Sequence, residues 1–154
     1  MAKYRAGINR LGRISSTIDD EHIGHPRVAL PYAHMACLRE VPEIEVVAGA
    51  DGYQEQRDAF AAKWGLDNLY EDFREMLAKE NLDYVTIATP AKPRHDIFMA
   101  CVEAGVKAIY AEKGLSASLA EADAIAAAVR ANNVAFNWGT SRRYSNAYRK
   151  LADE

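Results

Sequence analysis

Residues 10 to 15 carry the first pattern that could do chemistry. The segment reads RLGRIS and follows a short apolar stretch. A loop that binds a dinucleotide pyrophosphate has the spacing G-x-G-x-x-G, because small residues allow a tight turn, close approach to the phosphates and close helix contact. Gly12 occupies the middle position, while Arg10 and Ser15 replace the outer glycines. Gly12 can supply the close approach; Arg10 either blocks the turn or lays its guanidinium against a phosphate.

The second candidate is Asp51, which ends the apolar run IEVVAGAD at 44–51. A carboxylate at the end of the second strand of a dinucleotide fold can bond a ribose diol, and it repels a 2′-phosphate. Asp51 therefore favours NAD over NADP. The alternative is that Asp51 only caps the next helix. Arg57, expected to be a surface charge, leaves NADP open.

Further candidates follow two later strands. Thr89 and Pro90 close the run DYVTIATP, and His95 lies in the helix that comes next. Glu112 and Lys113 end the run VKAIYAEKG. A lysine at a strand end can hydrogen-bond a reacting hydroxyl and stabilise developing negative charge. The alternatives are a surface ion pair for the lysine and no role for the histidine.

The long loop 15–30 holds a group of possible metal ligands: Asp19, Asp20, Glu21, His22 and His25. The three carboxylates are consecutive, so their side chains diverge, and the loop shows no pair of ligands at helical i, i+4 spacing. We predict a solvated loop here and no metal site. The loop is longer than most strand-to-helix connections.

The elements that must position these residues alternate along the chain. Apolar runs predict strands at 4–9, 44–51, 83–90, 106–114 and 134–139. Helical patterns cover 31–40, 53–65, 72–81, 94–105, 118–133 and 145–153. Pro31 suits a first helical turn, and Ser118 with Glu121 has the spacing of a capping box. Hydrophobic strands separated by helices predict a doubly wound parallel α/β sheet, Rossmann-like, with helices on both faces and its ligand at the carboxyl ends of the strands.

Composition narrows the class of protein. The chain has 154 residues, is 49% hydrophobic and 27% charged, and carries a net charge of -3. It is long enough for one domain with a full core. The sequence has no apolar run of the ~20 residues that a membrane helix needs and no signal-peptide core, so we expect a cytoplasmic protein. This net charge does not indicate the basic surface that a nucleic-acid-binding protein needs. Cys37 and Cys101 are predicted to be buried small hydrophobes rather than ligands or a disulfide.

Six segments taken together resemble one family. They are GINRLGRIS at 7–15, VVAGAD at 46–51, FAAKWGLDNLYEDFREML at 60–77, DYVTIATPAKPRH at 83–95, CVEAGVKAIYAEKG at 101–114 and NWGTSRRY at 137–144. In this order they resemble the N-terminal domain of the glucose–fructose oxidoreductase/inositol dehydrogenase family (Gfo/Idh/MocA). The resemblance covers nearly the whole chain. It implies an NAD(P)-dependent oxidoreductase that acts on sugars, cyclitols or related polyols.

The resemblance also implies roles for individual residues. Those expected beside the dinucleotide are Arg10, Leu11, Gly12, Arg13, Ile14, Asp51, Thr89, Pro90, His95, Glu112 and Arg143. Of these, Asp51 would take the adenosine ribose. Lys113 would be the active-site lysine of the family's Glu-Lys-Pro motif, which here reads Glu112-Lys113-Gly114. Arg142 and Arg143 resemble an arginine segment near cofactor and substrate.

Members of the family usually carry a second α/β domain that forms the substrate pocket. Residues 1–144 are expected to form the dinucleotide-binding domain, and 145–154 the start of a helix leading into that absent domain. The expected function is hydride transfer between a nicotinamide cofactor and a sugar or polyol carbon, with little activity from this chain alone. The alternative is a non-catalytic nucleotide-binding or regulatory module with a degenerate phosphate loop. An apolar patch at Tyr144, Tyr148 and Leu151 would favour a homo-oligomer.

Overall fold

A computed structural model describes residues 3–140 and 146–153 and shows one six-stranded sheet. The strands are β1 (Tyr4–Asn9), β2 (Ile44–Ala50), β3 (Leu69–Tyr70), β4 (Tyr84–Ile87), β5 (Ala108–Glu112) and β6 (Ala135–Gly139). Their order is β3-β2-β1-β4-β5-β6, and every neighbouring pair is parallel. From β1 the chain adds β2 and β3 on one side of the sheet. It then crosses back and adds β4, β5 and β6 on the other side. A crevice opens where the direction reverses, between the carboxyl ends of β1 and β4.

Helices connect these strands. They are α1 (Arg13–Ser16), α2 (His34–Arg39), α3 (Gln54–Trp64), α4 (Phe73–Glu80), α5 (Ala91–Glu103), α6 (Leu119–Asn132) and α7 (Asn146–Asp153), with a 3-10 turn at Ile18–Glu21. The predicted doubly wound α/β fold is confirmed. Among the described helices, none is long and apolar enough to cross a membrane.

Two apolar clusters lie on opposite faces of the sheet. One joins α4, α5 and α6 to the strands and includes Met76, Val85, Phe98, Ile109 and Ile125. The other consists of Ile8, Leu11, Met35, Leu38 and Phe60. The neighbours Gly7 and Ile8 face opposite clusters, as alternation along a strand requires: a Cβ on Gly7 would meet Leu82 and Met76. The strands are therefore covered on both sides, which explains their continuous apolar runs.

Several helix boundaries differ from the prediction. Helix α2 begins at His34 with Ala33 as its N-cap, so Pro31 lies outside the helix and not in its first turn. Helix α5 begins at Ala91, three residues earlier than the pattern indicated, and holds Pro93 in its first turn. Proline is tolerated there because the first turn has no intrahelical acceptor for its missing N–H.

The predicted capping box at Ser118 forms only in part. Ser118 Oγ accepts the N–H of Glu121 at 3.2 Å, which starts α6 as expected. The carboxylate of Glu121 instead accepts the N–H of Ala117 at 2.8 Å. The serine half of the motif is therefore present, and the return contact is displaced by one residue.

The two cysteines occupy different environments. Cys101 is buried in α5, as predicted, but Cys37 is exposed on α2, which corrects the expectation that both are buried. Both are free thiols. Helix α2 has six residues, of which only His34, Met35 and Leu38 are buried, so the apolar pattern predicted burial for more of the helix than the fold covers.

Candidate functional site

A cleft of about 880 Å³ opens at the carboxyl ends of the strands, beside the reversal between β1 and β4. The predicted site residues that line it are Arg10, Gly12, Arg13, Ile14, Thr89, Pro90, Glu112 and Lys113. Leu11 and Asp51 lie buried beneath it, and His95 does not line it. Arg142, Arg143 and Tyr144 lie outside the described residues. Most of the predicted site residues therefore line one cleft, at the strand ends where the sheet topology places a ligand site.

Arg10 adopts the backbone conformation that the first glycine of the loop would adopt. Its φ is 78°, in the left-handed region, and its N–H donates to the carbonyl of Ala50 at 2.8 Å. The side chain reaches the residues after β2: Nε lies 3.6 Å from Asp51 Oδ2, and the guanidinium lies 5.0 Å from the centre of the Tyr53 ring. The arginine thus leaves the turn open, at a backbone cost of about 1 kcal/mol.

Gly12 leaves open space above the turn. A Cβ added there would find only Gln56 Oε1 within 4 Å, at 3.7 Å. A phosphate group can therefore approach the backbone closely, which is the function of the middle glycine. Ser15 is fully buried in α1, where a small residue is needed. The open backbone at Gly12 and the small buried side chain of Ser15 are therefore compatible with a bound dinucleotide.

Asp51 connects two turns rather than displaying its carboxylate. Its side chain is 0% exposed. Oδ2 accepts the N–H of Leu11 at 2.9 Å, and Oδ1 accepts the N–H of Tyr53 at 3.1 Å, at the start of α3. Its predicted contact with a ribose stays a prediction; both oxygens accept backbone N–H groups, and Arg10 Nε lies 3.6 Å from Oδ2.

Arg94 is a buried residue of the cleft that the sequence pattern missed in favour of its neighbour His95. It is 1% exposed and reaches from α5 to the end of β5. Nη1 of its guanidinium lies against three main-chain carbonyls, those of Glu112, Gly114 and, at 3.1 Å, Lys113, and shares its two hydrogens among them. Burial lowers the pKa of this guanidinium, and the charge of Glu112 opposes that shift. Arg94 holds the segment that carries the predicted catalytic lysine.

His95 lies outside the lining of the cleft. Its Nδ1 lies 3.0 Å from Asp96 Oδ1, at the surface of α5. Successive helical residues point about 100° apart, so where Arg94 faces the sheet its neighbour His95 points elsewhere. The predicted role of His95 beside the cofactor stays a prediction.

His34 is a second residue that the sequence pattern missed. It begins α2 at the far end of the long loop, is 7% exposed, and lies with its ring edge-to-face on Tyr110, 5.2 Å between ring centres. Its Nε2 lies 3.3 Å from Glu112 Oε1, and Glu112 Oε2 accepts the N–H of Lys113 at 3.2 Å. The hydrogen bond from His34 lowers the pKa of Glu112 and outweighs the opposing effect of burial. Glu112 is therefore held as a carboxylate in the wall of the cleft.

This pKa shift predicts a pH dependence of stability. Because the pKa of Glu112 is depressed below its usual 4.5 in the folded chain, its contribution is fully present above about pH 4.5 and is lost as the pH falls below that value. We expect Glu112→Gln to reduce the free energy of unfolding more at pH 7 than at pH 3.5, measured by urea unfolding. Glu103→Gln, at an exposed position of α5, is the control; equal losses at both pH values for Glu112→Gln would contradict the prediction.

Lys113 extends from the end of β5 as an exposed side chain. Within residues 3–140 and 146–153, its ammonium makes no ion pair, so the alternative interpretation of Lys113, a surface ion pair, is not found there. The next residue, Gly114, has a φ of 61°. Proline is restricted to a φ near −65°, so the Glu-Lys-Gly segment turns in a way that the family's Glu-Lys-Pro sequence cannot.

The acidic residues of the long loop each bind a different element. Asp19 Oδ1 accepts the N–H groups of Tyr32 and Ala33 at 3.0 and 2.7 Å. Asp20 pairs with Lys63 of α3 at 2.5 Å, and Glu21 pairs with Arg13 of α1 at 2.6 Å. The part of the chain that the structure describes contains no group of three or more possible metal ligands. The loop was predicted to be solvated; in addition, these contacts attach it to α1, to α3 and to the residues before α2.

Comparison with known proteins assigns the family. Residues 23–140 match the family GFO_IDH_MocA, described as an oxidoreductase family with an NAD-binding Rossmann fold. The chain belongs to this family. The match begins after the turn at residues 10–15, so the assignment does not depend on the glycines that Arg10 and Ser15 replace.

Two curated relatives show what the chain is similar to. It is 36% identical over 95 residues to a D-apiose dehydrogenase of Paraburkholderia graminis, which covers 62% of this chain and 25% of that protein. It is 32% identical over 120 residues to a scyllo-inositol 2-dehydrogenase (NAD(+)) of Bacillus subtilis, which covers 77% of this chain and 35% of that protein. The chain thus spans about a quarter to a third of these relatives.

A solved structure agrees on the fold. The scyllo-inositol dehydrogenase of Lactobacillus casei with bound NAD(H) and scyllo-inositol has a TM-score of 0.74 and 19% identity, covering 97% of this chain and 39% of that one. The expected Rossmann fold of a dinucleotide-binding family is confirmed.

Proposed function

We propose that this chain is the dinucleotide-binding domain of an NAD(P)-dependent oxidoreductase that acts at a hydroxyl-bearing carbon of a sugar or polyol. One observation carries the proposal: the cleft at the reversal of the sheet has the open backbone of Gly12 on one wall and the exposed ammonium of Lys113 on the other. The first suits a pyrophosphate and the second suits an oxygen that gains negative charge. The family assignment supports the same function.

Each wall has its own task in this proposal. When bound, the nicotinamide supplies the site that gives or takes a hydride. Gly12 lets the pyrophosphate approach the turn, and Thr89 Oγ1, buried in the cleft wall without a partner in the described chain, is available to a polar atom of the cofactor. Lys113 Nζ donates a hydrogen bond to the reacting oxygen of the substrate. Arg94 and Glu112 hold the segment from which Lys113 extends.

The names of two similar proteins support the proposed substrate class. Their names include D-apiose and scyllo-inositol, which are small compounds with several hydroxyl groups. We expect the same class here, with little turnover by the 154-residue chain alone, because it spans a quarter to a third of those relatives.

The proposal is tested by titrating the chain with NADH and NADPH and following the fluorescence of the nicotinamide. We expect saturable binding of at least one of the two at sub-millimolar concentration. Failure of both to bind at millimolar concentration would overturn the proposed function.

A second candidate is a nucleotide-binding module with a regulatory task. Gly114 favours it, because its left-handed φ of 61° redirects the segment after the catalytic lysine. Saturable cofactor binding, together with no oxidation of polyols by the protein encoded by the whole reading frame, would favour this candidate.

A further inference from the structure

The edge of the cleft at the end of β2 presents a cation where the sequence predicted a carboxylate. Asp51 is covered, with a side chain that is 0% exposed, while the side chain of Arg10 above it is 39% exposed. In a dinucleotide fold the adenosine ribose lies at the end of this strand. A ribose placed there would meet the guanidinium of Arg10 before it could reach Asp51.

Arg10 has hydrogen-bonding capacity to spare. Only its Nε approaches a carboxylate, at 3.6 Å from Asp51 Oδ2, which is longer than a hydrogen bond. Its terminal nitrogens make no hydrogen bond within residues 3–140 and 146–153. The guanidinium is supported from one side by the exposed ring of Tyr53, 5.0 Å away. It is thus held in place while its outer donors stay available.

The neighbouring arginines are already engaged. Arg13 makes two hydrogen bonds to the carboxylate of Glu21, at 2.6 and 2.7 Å. Arg57 is buried and donates to the main-chain carbonyl of Asp51 at 2.5 Å. Arg10 is therefore the guanidinium that this edge offers to a ligand.

We propose that Arg10, supported by Tyr53, forms a subsite for the 2′-phosphate of the adenosine ribose, so that the chain binds NADP(H) more tightly than NAD(H). This inference rests on the proposed dinucleotide function and specifies its cofactor, reversing the preference that Asp51 indicated. A guanidinium pairs with phosphate through two parallel N–H donors, which a ribose hydroxyl cannot match. The repulsion that an exposed carboxylate exerts on a 2′-phosphate is weakened, because Asp51 is covered and faces the positive charge of Arg10.

The test compares dissociation constants of NADPH and NADH for the whole chain, by nicotinamide fluorescence. We also compare 2′,5′-ADP with 5′-AMP by calorimetry, because these probes isolate the adenosine half. We expect NADPH to bind at least threefold more tightly than NADH. Arg10→Gln should weaken NADPH binding about tenfold or more and change NADH binding less than threefold. Arg10→Lys should recover part of the NADPH affinity.

The control is Arg74→Gln. Arg74 also lies over an aromatic ring, that of Phe73 at 4.4 Å, and 3.7 Å from a carboxylate, that of Asp72, but it lies away from the cleft. It should leave both affinities unchanged. Because Arg10 has a left-handed φ, Arg10→Asn, which tolerates that conformation, replaces the glutamine variant if the latter fails to fold.

The outcomes separate the two proposals. If NADH binds as tightly as NADPH or more tightly, or if Arg10→Gln weakens both equally, the 2′-phosphate subsite is wrong and the dinucleotide function stands. If neither cofactor binds, both proposals are wrong.

Discussion

Replacing Arg94 with methionine is expected to lower the free energy of unfolding by about 3–5 kcal/mol. Arg94 is 1% exposed, and its Nη1, with two hydrogens to donate, lies against the main-chain carbonyls of three consecutive residues, Glu112 to Gly114. Methionine fills a similar volume but donates no hydrogen bond, so these carbonyls lose their partner beside the sheet. Each buried acceptor left without a donor costs about 1–3 kcal/mol. Urea unfolding followed by circular dichroism measures the loss.

Lys92→Met is the matched control, because Lys92 lies two residues away on the same helix and is exposed. It should change the free energy of unfolding by less than about 0.5 kcal/mol. A loss of under about 1 kcal/mol for Arg94→Met would show that the carbonyls find other donors, and that Arg94 does not hold the end of β5.

The second large effect is expected for Asp51→Ala. Removing this carboxylate takes away the acceptor of the Leu11 and Tyr53 N–H groups and the counter-charge of Arg10. The free energy of unfolding should fall by about 2–4 kcal/mol, since a buried N–H loses its only bond. Because the turn around Gly12 then loosens, NADH and NADPH should both bind at least tenfold more weakly, as measured by fluorescence titration.

Two further variants sharpen this result. Asp67→Ala, at an exposed position before β3, should change neither stability nor affinity. Asp51→Asn keeps one carbonyl acceptor and should lose less stability than Asp51→Ala. If Asp51→Ala weakens NADH alone and leaves stability intact, then Asp51 binds the ribose directly, as the sequence predicted, and does not act by joining two turns.

The fold could be predicted because its signals are local. Continuous apolar runs specify strands covered on both faces, and Gly65, with a φ of 65°, ends α3 where the glycine predicted an end. The two-residue strand β3 gave no pattern, because it exists only through its pairing with Gly49 and Ala50. The start of α5 was misplaced because Pro93 inside the first turn resembles a break.

A site residue could be predicted only where the residue type itself indicates the environment in which it lies. Gly12 and Lys113 line the cleft as expected. His34 and Arg94 were missed, because their roles depend on contacts 78 and 18 to 20 residues away in the chain. No local pattern records such distances. For the same reason the sequence could show a carboxylate at position 51 but not the guanidinium that covers it.

Two acidic side chains of the long loop between β1 and α2 neutralise basic side chains of the same chain. By doubling back, the loop carries Glu21 to Arg13 in the cleft wall and Asp20 to Lys63 on α3. The positive charge that Arg13 would contribute at the cleft mouth is thereby neutralised within the chain. Among the exposed basic side chains that line the described cleft, Arg10 on one edge and Lys113 on the other then remain to attract a polyanionic ligand. The extra residues of the loop therefore restrict where positive charge is exposed, in addition to connecting β1 to α2.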